Sequence, residues 1–370
     1  MKIGLISFHN AANHGASLQA YALERFLELN NFDCEYIDYQ NETRRQSYDM
    51  RFLIRKSILE KRFVDAVKYA IGMPLLSLRK RSFSSFYKKY VKYSTKTYYT
   101  PKELKETNEI YDVFITGSDQ IWNPHHNGYD VSYLLGFVND DKLKISYSSS
   151  LSVTSIPAKL EKDYKNCLNA INYLSTRELS GVKLIKELTG RDAKLVLDPV
   201  FLLSKEEWCK IITTPKISYR FVFSDTNRPN QITNFVKQTG FPISTVKHHK
   251  LSRYTTPADF LNPKVKVEYT LSPSRYIQDI LESEIVLSAS FHCTSFAIIM
   301  NRPFVCFLTG DEGKDERLMT LLSHFGLKDR IFNNMMTLED VNKPIDWHYV
   351  NTVLDEKRKD SIAFLLNSLK

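Results

Sequence analysis

The sequence predicts an α/β protein made of two doubly wound domains, each a parallel sheet flanked by helices. Three observations support this. Short apolar runs of strand length alternate with segments of helical period along most of the chain. The alternation breaks once, over residues 44–96, and then resumes. The 370 residues, 43% of them hydrophobic, exceed the ~250–300 residues at which a single core usually stops growing.

Lys2–Phe8 (KIGLISF) is an apolar run of strand length. A small polar loop follows, then Ser17–Leu29 with apolar residues at helical spacing, then Cys34–Tyr39 as a second strand. Strand, loop, helix and strand form the opening unit of a doubly wound domain. Residues 44–96 interleave apolar and basic side chains, from Phe52 through Tyr69 and from Leu75 through Val91. This predicts two amphipathic helices with Gly72-Met73-Pro74 as the break, because proline lacks the helical N–H donor. Strands are then predicted at Val113–Thr116, Lys144–Ser148, Tyr173–Thr176 and Lys194–Leu197, with helices at Pro157–Ala170 and Glu178–Thr189. Asp198-Pro199 closes the first domain, 1–198.

The second domain, 199–370, repeats the alternation. Its strands are predicted at Arg220–Phe223, Ile243–Val246, Val265–Tyr269, Ile285–Ser288 and Phe304–Leu308. Its helices are predicted at Asn230–Thr239, Pro273–Glu282, Ser295–Met300 and Glu316–Phe325. The last helix, Glu356–Leu369, is expected to pack back across the domain junction.

The formal charge of +9 favours anionic partners. Residues 44–96 hold 15 Lys/Arg against Asp49, Glu60 and Asp65, so the rest of the chain is slightly acidic. That distribution is not the even basicity of many nucleic-acid binders, and no nucleic-acid partner is expected. The basic segment reads either as a solvated face or as a contact with an anionic membrane or a lipid-linked acceptor. The five cysteines are widely spaced, odd in number and without C-x-x-C. Neither a disulfide framework nor a zinc ribbon is indicated, and the reducing cytoplasm fits. Met1–Phe8 runs directly into a polar loop, unlike a signal peptide, and no apolar run approaches the ~20 residues of a membrane span. The pairs His125-His126 and His248-His249 are adjacent and have no carboxylate at ligand spacing, so no metal is expected.

Four polar segments follow predicted strands, where open parallel sheets gather their ligands. In Asn10–Gln19 (NAANHGASLQ) small residues allow close backbone approach, and the helix starting near Ala16 offers N–H groups to an anion. A tight turn without a ligand fits equally; the absence of G-x-G-x-x-G argues against a nicotinamide site. In Thr116–Pro124 (TGSDQIWNP) Gly117 and Ser118 suit a strand-to-loop turn. Asp119 can accept a proton or hold a sugar hydroxyl, and Trp122 can stack on a sugar ring; a capped loop with a core tryptophan is the alternative. Arg177, in Ser175–Glu178, can grip a carboxylate or phosphate bidentately, or stand as an exposed arginine in a helix-capping segment. In Ser288–Ala297 (SASFHCTSFA) His292 combines helix-dipole donors with a side chain that titrates near neutral pH; a structural histidine is the alternative. Cys293 reads as a buried inert thiol rather than a nucleophile.

Taken in order, these segments resemble the polysaccharide pyruvyl transferase family. The resemblance rests on Asn13, Gly15 and Gln19–Leu23; on Gly117–Asn123 (GSDQIWN); on Ser175, Arg177 and Glu178; and on Leu197–Phe201 (LDPVF). It continues through Ser290–Ala297, Pro303-Phe304, Arg317, Gly326-Leu327 and Asp329-Arg330, and so spans roughly Lys2 to Arg330. It implies two Rossmann-like domains facing a cleft, as in GT-B glycosyltransferases. It also implies phosphoenolpyruvate as donor substrate, no cofactor, and a glycan or lipid-linked oligosaccharide as acceptor. Some members carry R-x-H where this chain has Ser290-Phe291-His292, the arginine helping to hold the donor; Arg317 and Arg275 are the candidates to replace it.

On this reading the first domain takes the acceptor and the second the donor, at the inner face of the plasma membrane. Arg177 and Arg317 bind the donor with Ser290, and His292 holds the phosphate or acts as general acid. Asp119 is the base or hydroxyl ligand, Asn13, Ser118 and Trp122 are further substrate-binding residues, and Gly15 and the amides of 16–18 line the cleft. The product is a ketal on a sugar hydroxyl pair. Two alternatives are a GT-B glycosyltransferase using a nucleotide sugar in the same pathway, and a non-enzymatic membrane scaffold.

Overall fold

The computed structural model describes residues 1–9, 11–47, 49–213, 221–226, 230–243, 245–249 and 263–370. The expectations that fall on Asn10, Arg220 and position 244 therefore lie outside the described residues. The chain divides into two units, Met1–Leu202 with Asp360–Lys370, and Leu203–Lys359. The division thus falls after Leu202, and the last residues group with the first unit.

The first unit is built on five parallel strands, β1 (Lys2–Ile6), β2 (Asp33–Tyr39), β3 (Tyr93–Tyr98), β4 (Val113–Gly117) and β5 (Leu143–Tyr147), in the order β3-β2-β1-β4-β5. A bridge between Ile145 and Tyr173 brings a two-stranded ribbon alongside β5, formed by β6 (Ser175–Thr176) and β7 (Lys194–Leu195). Strands β1 and β4 are apolar and almost wholly buried, as central parallel strands covered on both faces must be. β3 (YSTKTY) has no expected counterpart. It is an edge strand whose exposed Lys96 blunts further pairing, and its polar sequence hides it from an apolar-run search.

Helix α1 (His14–Leu29) follows β1 and starts before the predicted Ser17, because Asn13 caps it by accepting the Ala16 N–H at 3.1 Å. The basic segment forms α2 (Glu42–Ser47), α3 (Met50–Leu59) and α4 (Phe63–Tyr90). The break expected at Gly72-Met73-Pro74 does not occur: α4 runs through Pro74. Ala70 and Pro74 lie on its exposed side, where water can take the carbonyl that the missing N–H leaves over. Buried Arg79, Phe83, Phe86 and Tyr87 hold the second half. Helices α5 (Ala158–Ala170) and α6 (Leu179–Thr189) follow β5 and β6.

Glu24, on the buried side of α1, accepts the Lys92 N–H at 2.7 Å, and burial pushes its carboxyl up to about 8. A carboxyl raised in the folded state favours folding below its ordinary value of 4.5 and loses that contribution as pH rises toward 8. Glu24→Gln keeps an acceptor for Lys92 and removes the titration. Its melting temperature is expected to exceed the parent's by about 4 °C or more near pH 9 and to converge with it near pH 4. A gap independent of pH in thermal melts would refute this account of Glu24.

The second unit carries β8 (Val222–Asp225), β9 (Val246–His248), β10 (Val265–Val267), β11 (Ile285–Ser288) and β12 (Phe304–Cys306), all parallel, in the order β10-β9-β8-β11-β12. Around them lie α7 (Asn230–Thr239), α8 (Pro273–Glu282), α9 (Phe291–Ile299) and α10 (Glu312–His324). Helix α9 starts four residues before the predicted Ser295, and α10 four before Glu316. The last helix, α11 (Trp347–Asn367), starts well before the predicted Glu356 and carries the chain from the second unit back into the first. There Ser361 Oγ accepts the Leu197 N–H at 2.9 Å. Phe235, Leu287 and Phe307 centre the core of the second unit.

Candidate functional site

In the first unit, the parallel register places Ile6 beside Thr116 and Gly117 beside Tyr147. The segments after β1, β4, β5, β6 and β7 therefore leave one carboxyl edge, the usual ligand side of such a sheet. Gly117 packs closely against α1: a Cβ there would stand 2.7 Å from Leu23 Cδ2 and would have to displace that buried side chain. Next, Ser118 and Asp119 both have positive φ, 25° and 65°. Two successive non-glycine residues in that region are costly and persist only where surroundings over-determine them. Here the Ser118 N–H donates to Tyr147 O at 3.1 Å, Ser7 Oγ donates to Ser118 O at 3.2 Å, and the Ser150 N–H donates to Asp119 O at 3.0 Å.

The side chains converge as well. Ser118 Oγ donates to Asp198 Oδ2 at 2.7 Å, and Arg177 Nη1 donates to both Ser118 Oγ, at 3.2 Å, and Asp198 Oδ2. Arg177 Nη2 stands 3.7 Å from Asp119 Oδ1. The Arg177 and Asp198 side chains are only 1% and 0% exposed, whereas Asp119 is 19% exposed. Asp119 is thus the carboxylate that water or a substrate can reach, carried on a strained turn that the buried Arg177–Asp198 pair underpins. Beside it, Glu178 accepts Ser150 Oγ at 2.6 Å and the Ser152 N–H at 2.7 Å, bracing the segment after β5.

The structure therefore gathers Ser118, Asp119 and Arg177 at one place. Arg177 is not the exposed capping arginine that the sequence left open; its guanidinium lies on Asp198 and Ser118. Trp122 is corrected. Its ring is fully buried in the core, with Nε1 donating to Tyr133 O at 2.9 Å, so no face remains to stack on a sugar. Asn13 is exposed at the α1 cap, and Gly15 is buried in the first turn. The amides expected to line the site are already engaged: Ala16 N–H meets Asn13 Oδ1 and Ser17 N–H meets Asn13 O.

In the second unit, Ser288 lies level with Asp225 and Cys306 across the sheet, again at the carboxyl edge. Ser288 Oγ accepts the Ser290 N–H at 3.1 Å and Thr294 Oγ1–H at 3.0 Å, shaping the turn into α9. Ser290 is the N-cap, but its side chain makes no capping bond, and His292 occupies the first turn against the Phe291 ring. The first N–H groups of a helix have no intrahelical acceptor, and the dipole there favours an anion. His292 thus stands at a helix N-terminus. Asp225 accepts Tyr276 O–H at 2.6 Å. Arg317 is buried on α10 with Nε toward Gly313 O, and Arg275 lies 2.8 Å from Asp279. Burial pushes the Cys293 thiol far above its ordinary value, so it is no nucleophile.

His248 Nδ1 lies 3.1 Å from Ser224 Oγ, while His249 stacks on Phe223 and stands 3.3 Å from Asp279. The two neighbours serve different partners. Among the described residues no group of three or more His, Cys, Asp or Glu could hold a metal. Sequence reasoning missed Asp198 as the buried partner of Arg177, although it lies in the LDPVF segment. It also missed the bracing role of Glu178.

The family model for polysaccharide pyruvyl transferase matches residues 13–311, a span that takes in Ser118, Asp119, Arg177, Asp198 and His292. Among solved structures, the chain is similar to the UDP-GlcNAc 2-epimerase of Neisseria meningitidis bound to UDP-GlcNAc, with TM-score 0.53, 10% identity and coverage of 99% of this chain and 100% of that one. It is also similar to the putative UDP-N-acetylglucosamine 2-epimerase of Listeria monocytogenes, with TM-score 0.50, 10% identity and coverage of 98% and 90%. At that identity the likeness shows the fold alone, an α/β architecture of the GT-B type. No curated protein matches the chain in sequence. The family model covers most of the chain and both carboxyl-edge sites, so the chain belongs to the polysaccharide pyruvyl transferase family and is a transferase.

Proposed function

We propose that the enzyme takes the pyruvyl group of phosphoenolpyruvate and joins it as a ketal to two hydroxyls of a sugar in a lipid-linked surface-glycan precursor. The observation that carries this reading is the placing of Asp119 and His292, one on each carboxyl edge, within the span matched by the family. The second unit takes the donor: the N-terminal turn of α9 suits the phosphate, and His292 delivers a proton to the methylene carbon or steadies the leaving phosphate. The first unit takes the acceptor, with Asp119 receiving the hydroxyl proton. Arg177 enters as the residue that holds the Asp119 turn in position. Arg317 and Ser290 shape the donor side.

The balance is simple. Protonation of the methylene carbon makes the adjacent carbon electrophilic, and one sugar hydroxyl adds there and loses its proton. Phosphate then leaves with its bonding electron pair, and the second hydroxyl closes the ketal with loss of its own proton. One phosphate is released per ring formed, and no oxidant or cofactor enters.

Incubating the enzyme with phosphoenolpyruvate and a lipid-linked glycan pool is expected to give an adduct of about 70 Da by mass spectrometry, with phosphate released in equal amount. Phosphoenolpyruvate should also raise the melting temperature where UDP-sugars do not. Stabilisation by UDP-sugars alone, with sugar transfer and no pyruvyl adduct, would replace this reading with the glycosyltransferase one.

A further inference from the structure

Helix α4 presents an exposed apolar stripe between Phe63 and Leu78. Ala66 and Arg79 are buried, whereas Phe63, Val64, Val67, Ile71 and Leu78 are exposed. At 100° per residue these five fall within an arc about 100° wide, a full apolar stripe facing solvent. The stripe continues around the turn from α3, where Leu59 is 83% exposed and Ile58 about half exposed. A soluble helix normally keeps charge on its outward face, and apolar patches of this extent mark contact surfaces.

The chemistry around the patch indicates the occupant. Helix α3 and the turn that leads into α4 carry Arg51, Arg55, Lys56, Lys61 and Arg62, all exposed. The acidic residues nearby, Glu60 and Asp65, are few, and both pair with Arg62 at 2.8 and 3.4 Å. Residues 44–96 as a whole carry 15 basic against 3 acidic side chains. Exposed apolar side chains and exposed cations on one segment match an anionic bilayer, whose headgroups meet the cations while the apolar side chains enter the acyl boundary. The apolar part of α4, from Phe63 to Leu78, is about 22 Å long at 1.5 Å per residue, too short to cross a bilayer of ~30 Å hydrocarbon. Among the described residues no helix is long and apolar enough to cross a membrane.

We infer that the α3–α4 hairpin is a docking surface that lies in the interface of an anionic membrane. The other half of α4 ties that surface to the candidate site. Arg79 Nε donates to Ala12 O at 3.0 Å, and Tyr87 O–H donates to Ala11 O at 3.1 Å, both in the segment between β1 and α1. One rigid helix thus joins the membrane surface to a carboxyl-edge loop of the first unit, placing a membrane-held acceptor near that edge. The docking surface stands whatever the donor proves to be.

The test is sedimentation of the full-length protein with vesicles of phosphatidylcholine, with and without about 30 mol% phosphatidylglycerol. The parent is expected to bind the anionic vesicles, more weakly as salt rises, and the neutral ones poorly. The triple variant Leu59→Gln/Phe63→Gln/Ile71→Gln should bind at least about 10-fold less, and Arg55→Gln/Lys61→Gln should lose the preference for anionic lipid. All substituted side chains are exposed, so melting temperatures should stay near the parent's. Transfer to a water-soluble acceptor should be unchanged in both variants, which separates a failure of docking from a failure of the proposed reaction. Equal vesicle binding by parent and triple variant would overturn the inference. So would self-association without vesicles that the triple variant abolishes, since a second copy would then cover the face.

Discussion

Replacing His292 by alanine is expected to cut turnover by about 10²–10⁴-fold, the usual contribution of one general acid or base, while leaving the fold intact. His292 lies in the first turn of α9 and is itself buried, so a melting temperature measured on His292→Ala separates a loss of catalysis from a loss of packing. Histidine is the side chain whose ordinary titration falls near neutral pH, which suits a group that must give a proton to carbon. The two roles open to His292 give different kinetics. If it acts on the methylene carbon, His292→Ala lowers kcat, flattens one limb of the pH–rate profile, and is not rescued by His292→Gln. If it only holds phosphate, KM for phosphoenolpyruvate rises and His292→Gln, which still donates a hydrogen bond, recovers much of the loss. Parental activity in His292→Ala would remove the residue from the scheme.

Much of the frame was legible because local chemistry and tertiary packing agree. Ile285–Ser288, Asn230–Thr239 and Pro273–Glu282 lie where their patterns put them; the last begins at a Ser272 cap followed by proline, a start signal that needs no tertiary context. The α3–α4 region departed because packing overrode a local rule: the buried residues that follow Pro74 carry the helix past it. The start of α9 was missed because Ser290–Thr294 holds weak helix formers, and the turn is set instead by Ser288 across a gap no periodicity reports.

Within the site, the polar segments stood out because small and charged residues interrupt apolar strands. What each side chain does there was not readable. Trp122 and Asp119 are three residues apart, yet one is sealed in the core and the other reaches solvent. Arg177 and Asp198 meet through the register of β6 and β7, a pairing over 21 residues that sequence alone does not announce.

That pair yields the second large effect. Arg177→Met leaves the Asp198 carboxylate buried without its cation, and breaking one side of a buried ion pair typically costs about 3–5 kcal/mol. The expected result is a markedly lower melting temperature together with loss of turnover. Asp198→Asn should destabilise less, because the amide still accepts from Ser118 Oγ. The informative variant is Arg177→Met/Asp198→Leu, which removes both charges. Apolar replacement of a whole buried pair is often neutral, so this double variant should regain much of the stability lost by Arg177→Met. It should not regain activity. The positive φ values at Ser118 and Asp119 are held partly by Ser118 Oγ on Asp198 and by the guanidinium beside Asp119, and neither contact survives the double change. Kinetics then separate two functions for Arg177. A residue that grips the donor would, as Arg177→Lys, chiefly raise KM for phosphoenolpyruvate. A residue that positions Asp119 would lower kcat with KM for the donor little changed, because the point charge of lysine replaces the cation but not the planar contact with both Ser118 and Asp198. The burial of the guanidinium favours the second outcome. A rise in donor KM at constant kcat, with an unshifted melting temperature, would return Arg177 to the donor side.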